Sequence, residues 1–100
     1  MAKGYLVADI QITDPERFDE YRRLVPAVIA QFGGRYLVRG GAFHAVEMPD
    51  AFHRLVVLEF DSVEQAGRFY GSEEYAPLLR MRVESTKSAV AIVEGIASSD

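Results

Sequence analysis

The chain of 100 residues contains no cysteine. Disulfides, thiolate nucleophiles and the Cys-based zinc and iron–sulfur sites are therefore excluded. Long apolar runs are missing too. None approaches the roughly 20 residues needed to span a bilayer, so no membrane partner is expected. Excess positive charge is also absent. The formal net charge is −4, and a general nucleic-acid binder needs a basic face to neutralise phosphates. The start, Met1-Ala2-Lys3-Gly4, enters a strand-like pattern without the charged and apolar regions of a signal peptide. These absences lead us to expect a cytoplasmic protein.

What the chain has in quantity is apolar side chains, 49% of the total. That is high for one domain of this size, which buries only about 60–70% of its unfolded surface. Either the core is rich or another subunit covers part of the apolar surface.

Periodicity places the elements. Residues 4–12 alternate, with Leu6, Ala8, Ile10 and Ile12 on one face and Tyr5, Val7, Asp9 and Gln11 on the other, as in a strand. A helix then starts, either with Asp14 as the N-cap before Pro15 and Glu16 or with Thr13 and Glu16 as a capping box. Phe18, Tyr21, Val25, Val28, Ile29 and Phe32 form one helical stripe, with Asp19, Glu20, Arg22 and Arg23 on the wet side. Pro26 inside this run predicts a kink or a break into two helices. Gly33-Gly34 ends it.

Residues 35–40 read as a second strand. Tyr36 and Val38 share one face, Arg35, Leu37 and Arg39 the other, with a bulge or bend at Gly40-Gly41. Residues 53–60 form a third strand in which Leu55, Val56, Val57 and Leu58 are consecutively apolar. Ser62 starts a helix that Gly71 breaks, and Ser72 restarts it with Tyr75, Leu78, Leu79 and Val83 on its apolar side. Residues 88–94 are the last strand, again apolar on both faces, and the tail at 96–100 frays.

The order β-α-β-β-α-β is the ferredoxin-like pattern, an α+β fold with a four-stranded antiparallel sheet and helices on one face. The reading is a single domain over 1–100, with its core at about 3–95. A sheet with one wet face should alternate cleanly, and the third and fourth strands do not. The helix-free face is therefore expected to be covered by a second copy in a homodimer.

A resemblance spans almost the whole chain. Lys3-Gly4-Tyr5, Thr13-Asp14-Pro15-Glu16, Tyr21, Phe32-Gly33-Gly34-Arg35-Tyr36-Leu37-Val38-Arg39-Gly40-Gly41, Leu55 to Phe60, Ser62 to Ala66, Ser72-Glu73-Glu74-Tyr75 and Val93-Glu94-Gly95 keep an order and spacing. Together they resemble the bacterial family called domain of unknown function 1330. Glu73 stands where that family often has proline. The resemblance implies a dimeric α+β barrel, two ferredoxin-like units packed sheet against sheet. Relatives of this architecture range from cofactor-free monooxygenases and lactone isomerases to haem enzymes and stress-response proteins, so fold alone selects no chemistry.

Arg39 is the leading candidate site residue. It sits beside Gly40-Gly41 at a strand end and is expected on the helix-free face. It either binds a small anion or pairs with Asp9 or Glu59, of which Glu59 is nearer in the expected strand order. Asp9 and Glu59 lie within apolar strands; buried and unpaired they would become candidate bases. His44 and His53 have no metal-ligand spacing and read as exposed loop residues, with His44 retained as a possible proton handler. Tyr5 and Tyr36 line a cavity or pack in the core. No metal or cofactor is expected. Two functions remain open: a metal-free isomerase or cofactor-independent oxygenase acting on a small, partly apolar anion, and a non-catalytic ligand-binding or assembly module.

Overall fold

The computed structural model describes residues 2–97; most of the tail expected to fray, 98–100, lies outside them. Strand β1 (Gly4–Ile12) is followed by helix α1 (Pro15–Gln31), β2 (Arg35–Arg39), β3 (Leu55–Phe60), helices α2 (Val63–Tyr70) and α3 (Ala76–Ser85), and β4 (Thr86–Glu94). A single 3-10 turn, Pro49–Ala51, interrupts the β2–β3 connection. The sheet runs β2-β3-β1-β4 and all its pairings are antiparallel. This is the ferredoxin-like α+β fold. Among the described residues, no helix is long and apolar enough to cross a membrane.

Local chemistry starts and stops these elements. The Asp14 side chain accepts from the Arg17 backbone N–H, capping α1. Ser62 caps α2 in the same way through Gln65. Gly33, at φ +77°, takes the left-handed backbone that ends α1. Ser72 caps a turn rather than α3: its hydroxyl accepts from the N–H of Tyr75, the residue before α3 begins at Ala76. Pro26 does not break α1, which continues through it to Gln31.

The helix-facing side of the sheet carries Leu6, Ala8, Ile10, Leu58 and Phe60, all buried against Phe18, Val25, Ile29 and Phe69. Rings dominate this layer. Phe69 lies 5.4 Å from Phe60 and 4.5 Å from Tyr75, and Tyr75 continues to Tyr70 and Tyr21. Each such pair adds about 0.5–1.5 kcal/mol beyond area burial. The opposite side of the sheet carries no helix. There Val7 is 38% exposed, Val38 40% and Val93 49%.

One irregularity re-aims β2. Tyr36 faces Leu58 but Val38 faces Val57, so Leu37 has no partner and forms a bulge. The bulge therefore sits at Leu37, and Gly40 takes the bend expected at Gly40-Gly41. Beyond it the alternation reverses. Val38 points to the open face and Arg39, opposite Val56, returns to the side of the helices. Arg39 thus departs from the expected helix-free face, because one unpaired residue shifts every later side chain across the sheet.

Candidate functional site

Between the sheet and the helices lies a cavity of about 40 Å³. Its walls are mainly apolar, from Leu6, Ala8, Val25 and Val56 among others. Four arginines, Arg22, Arg39, Arg54 and Arg82, and four tyrosines, Tyr21, Tyr36, Tyr70 and Tyr75, supply its polar groups. No carboxylate or imidazole is among the lining residues described.

Arg39 lies over the ring of Tyr36, its guanidinium carbon 4.7 Å from the centroid. Its Nη2 donates to the Arg22 carbonyl at 3.2 Å. It forms no ion pair with Asp9 or Glu59, the two partners the sequence offered. Arg54, one residue before β3, packs against the ring of Phe18. A Cβ on Gly40 would come within 2.3 Å of the Arg54 guanidinium. Gly40, at φ +65°, therefore meets both a backbone and a space requirement. The Arg54 Nε is buried without a hydrogen-bond partner. Burial, then the neighbouring charges of Arg22 and Arg39, push the Arg54 pKa down. Arg22 pairs with Asp19 at 2.5 Å on the outer surface while lining the cavity mouth.

At the far side, the tyrosine hydroxyls form a chain. Tyr21 and Tyr75 are 2.9 Å apart, and Arg82 donates to Tyr70 at 2.9 Å and to Tyr75 at 3.4 Å. Burial, then the contact with Tyr75, pushes the Tyr21 hydroxyl far above an ordinary phenol. Burial raises Tyr36 as well, against the opposing charge of Arg39.

The other candidate residues fall elsewhere. Asp9 and Glu59 project from the open face of the sheet. Asp9 accepts from the His53 backbone N–H and meets its ring Nδ1, each at 2.8 Å. Partial burial works upward on the Asp9 carboxyl, but these bonds carry it below its usual range. Glu59 accepts from the Tyr5 hydroxyl at 2.9 Å and is paired with Arg35. The Tyr5 bond, opposed by burial and helped by Arg35, lowers its carboxyl. The same bond raises Tyr5. Glu59 faces Tyr5 and Asp9 faces Leu55, so the two acids sit four residues apart along the sheet. At about 3.4 Å per residue that is about 13 Å, too far for a coupled pair. His44 stays in the β2–β3 connection, beside Phe43, Val46, Glu47 and Phe52. His53 is exposed as expected, but it is bonded to Asp9. No cluster able to hold a metal occurs among the described residues.

Of the six candidate residues, the fold brings Arg39 and Tyr36 to the cavity and leaves Tyr5, Asp9, His44 and Glu59 outside it. Sequence reasoning missed Arg54 and Arg82. For Arg82 a signal existed. Tyr75, Leu78, Arg82 and Ser85 are spaced by three, four and three, a buried stripe. Val83, expected on that stripe, is 60% exposed instead.

The fold recurs in solved structures of low identity. A protein of unknown function from Rhodopseudomonas palustris matches with a TM-score of 0.76 at 14% identity, covering 96% of this chain and 84% of its own. A dimeric ferredoxin-like protein of unknown function from Jannaschia sp. CCS1 matches with a TM-score of 0.68 at 12% identity, covering 91% and 97%. SnoaB, a cofactor-independent oxygenase from Streptomyces nogalater, matches with a TM-score of 0.62 at 11% identity, covering 98% and 97%. At these identities the likeness is one of fold. No curated protein matches the chain. Residues 3–96 match the family described as Domain of unknown function (DUF1330), and the chain belongs to that family.

Proposed function

We propose that the protein is a homodimer in which each protomer's cavity binds a small, partly apolar anion through Arg39 and Arg54. One observation carries the binding reading: the Arg54 Nε is buried without a partner beside Arg39, in a cavity whose described lining holds no acid. A buried donor without an acceptor costs about 1–3 kcal/mol. A carboxylate or similar anion entering between the guanidiniums supplies that acceptor and offsets their mutual repulsion. The apolar wall takes the rest of the ligand, and the small volume limits its size.

The homodimer reading rests on the helix-free face. Val7, Val38 and Val93 form an exposed apolar surface there, flanked by the Arg35–Glu59 and His53–Asp9 pairs. A second copy apposed on this face covers the valines and leaves the ion pairs at its margin. The Jannaschia protein of the same fold is described as dimeric.

A second reading is turnover, of the isomerase or cofactor-independent oxygenase kind. It is favoured by the chain of phenol hydroxyls ending on Arg82 inside the cavity. These hydroxyls, rather than Asp9, Glu59 or His44, are then the groups that would donate hydrogen bonds to negative charge developing on a bound molecule.

Isothermal titration with butyrate and with butylamine tests the binding reading. Butyrate should bind and the amine should not, and Arg39→Gln should weaken butyrate at least tenfold. Equal binding of both compounds, or an unchanged Kd in the variant, overturns it. Multiple turnovers of a bound acid would select the second reading, and its recovery unchanged would select binding alone.

A further inference from the structure

Arg82 is a buried charge without a carboxylate partner among the described residues. It is 5% exposed, lies in the last turn of α3 and lines the cavity. Guanidinium stays protonated at any ordinary pH. A buried charge is normally matched by an opposite one, because desolvation is costly. Arg82 has no carboxylate partner among the described residues. Its neighbours are neutral: the hydroxyls of Tyr70 at 2.9 Å and Tyr75 at 3.4 Å. The negative end of α3 offsets part of the charge, but a helix terminus supplies only about half an elementary charge.

Arg82, Tyr70 and Val90 also line a second, shallower depression on the outer surface, completed by Val83, Thr86 and Ser88. Arg82 therefore stands where the cavity meets the exterior on the α3–β4 side. Arg22 and Arg54 stand where it meets a depression lined by Ile12, Pro15 and Asp19. Cationic groups thus occupy both ends of one apolar cavity.

We infer that Arg82, with the Tyr70 and Tyr75 hydroxyls, is a second anchor of the same site, so that the ligand is a short dianion, a dicarboxylate with an apolar middle. This rests on the reading of Arg39 and Arg54 as the first anchor. One carboxylate meets Arg39 and Arg54; the other meets Arg82. The second carboxylate gives the buried guanidinium the counter-charge it lacks and accepts from the phenols beside it. A structural role alone, tethering α3 to Tyr70 and Tyr75, predicts no preference between one carboxylate and two.

Succinate and butyrate, four-carbon acids differing in the second carboxylate, separate these roles by isothermal titration. The wild type should bind succinate at least tenfold more tightly than butyrate. Arg82→Gln should abolish the preference, bringing the succinate and butyrate Kd values within about twofold of each other. Should that variant fail to fold, Tyr70→Phe takes its place and should reduce the preference at least threefold. Equal affinities in the wild type, or a preference that survives the substitution, overturn the second anchor and leave the first standing. Failure of the wild type to bind either acid overturns both.

Discussion

The Nη2 of Arg39 reaches the carbonyl of Arg22, 3.2 Å away. That carbonyl lies four residues before Pro26, which has no N–H to offer it. The proline thus frees a helical acceptor inside α1, and an arginine arriving from β2 takes it. The same bond holds the Arg39 guanidinium at the cavity, over the Tyr36 ring.

Pro26→Ala restores the missing N–H to the Arg22 carbonyl and should release Arg39. Helix stability should rise, by about 1–3 kcal/mol from propensity less the unfolded-state benefit of proline. Butyrate binding should weaken by about threefold to tenfold, because Arg39 is no longer held in place. Thermal unfolding and titration on the one variant check both. Tighter binding would show that the carbonyl contact does not position Arg39.

Gly40→Ala should damage the site more than the fold. At φ +65° an alanine costs about 1–2 kcal/mol, and its Cβ meets the Arg54 guanidinium. Arg54 must move, and anion affinity should fall at least tenfold. Urea denaturation measures the first effect and calorimetry the second. Gly41, which has open space around its Cβ position, is the control, and Gly41→Ala should leave affinity unchanged.

Val7→Asp should convert the dimer to a monomer without unfolding it. Val7 faces Val57 and Ala91 across the open face, and one carboxylate per copy at that position places two like charges in an apolar contact. Light scattering at micromolar concentration reads the mass, and circular dichroism reads the fold. A wild type that is monomeric, or a variant that stays dimeric, contradicts the assignment of this face.

Acid should weaken the protein through Asp9 and Glu59. Both carboxyls are held below their ordinary values by hydrogen-bond donors, His53 for Asp9, and Tyr5 with Arg35 for Glu59. A carboxyl depressed in the folded state contributes stability that is fully present above its unfolded value, about 3.9–4.3. That contribution is lost as pH falls through the lower folded value. Asp9→Asn should therefore lower Tm at pH 7, and the gap to the wild type should close as pH falls below about 4. A gap that is constant with pH would mean that the carboxylate charge contributes nothing.

The elements were legible because their signals are local. Asp14 and Ser62 cap helices that begin where the sequence places them, and the stripe from Phe18 to Phe32 lies against the sheet. The bare apolar face was legible from the failure of β3 and β4 to alternate. Arg39 was legible as a residue but not as a position. The bulge at Leu37 depends on which β3 residues it pairs with, and that one unpaired residue sends Arg39 to the opposite face. Asp9 and His53 lie 44 residues apart, and no spacing rule joins them.

The order of strands and helices, the caps and the two-sided apolar strands are thus properties of the sequence itself, because each follows from periodicity and near-neighbour chemistry. The cavity belongs to the tertiary structure. Arg22, Arg39, Arg54 and Arg82 come from four segments, α1, β2, the β2–β3 connection and α3, with no common spacing, and only the folding of α1 and α3 onto the sheet brings them to one cavity with no acid among its described lining residues. Arg82 is buried there and Arg54 half-buried; desolvation makes their unmatched charge costly, and on an open surface the same two guanidiniums would be solvated and ask for no ligand.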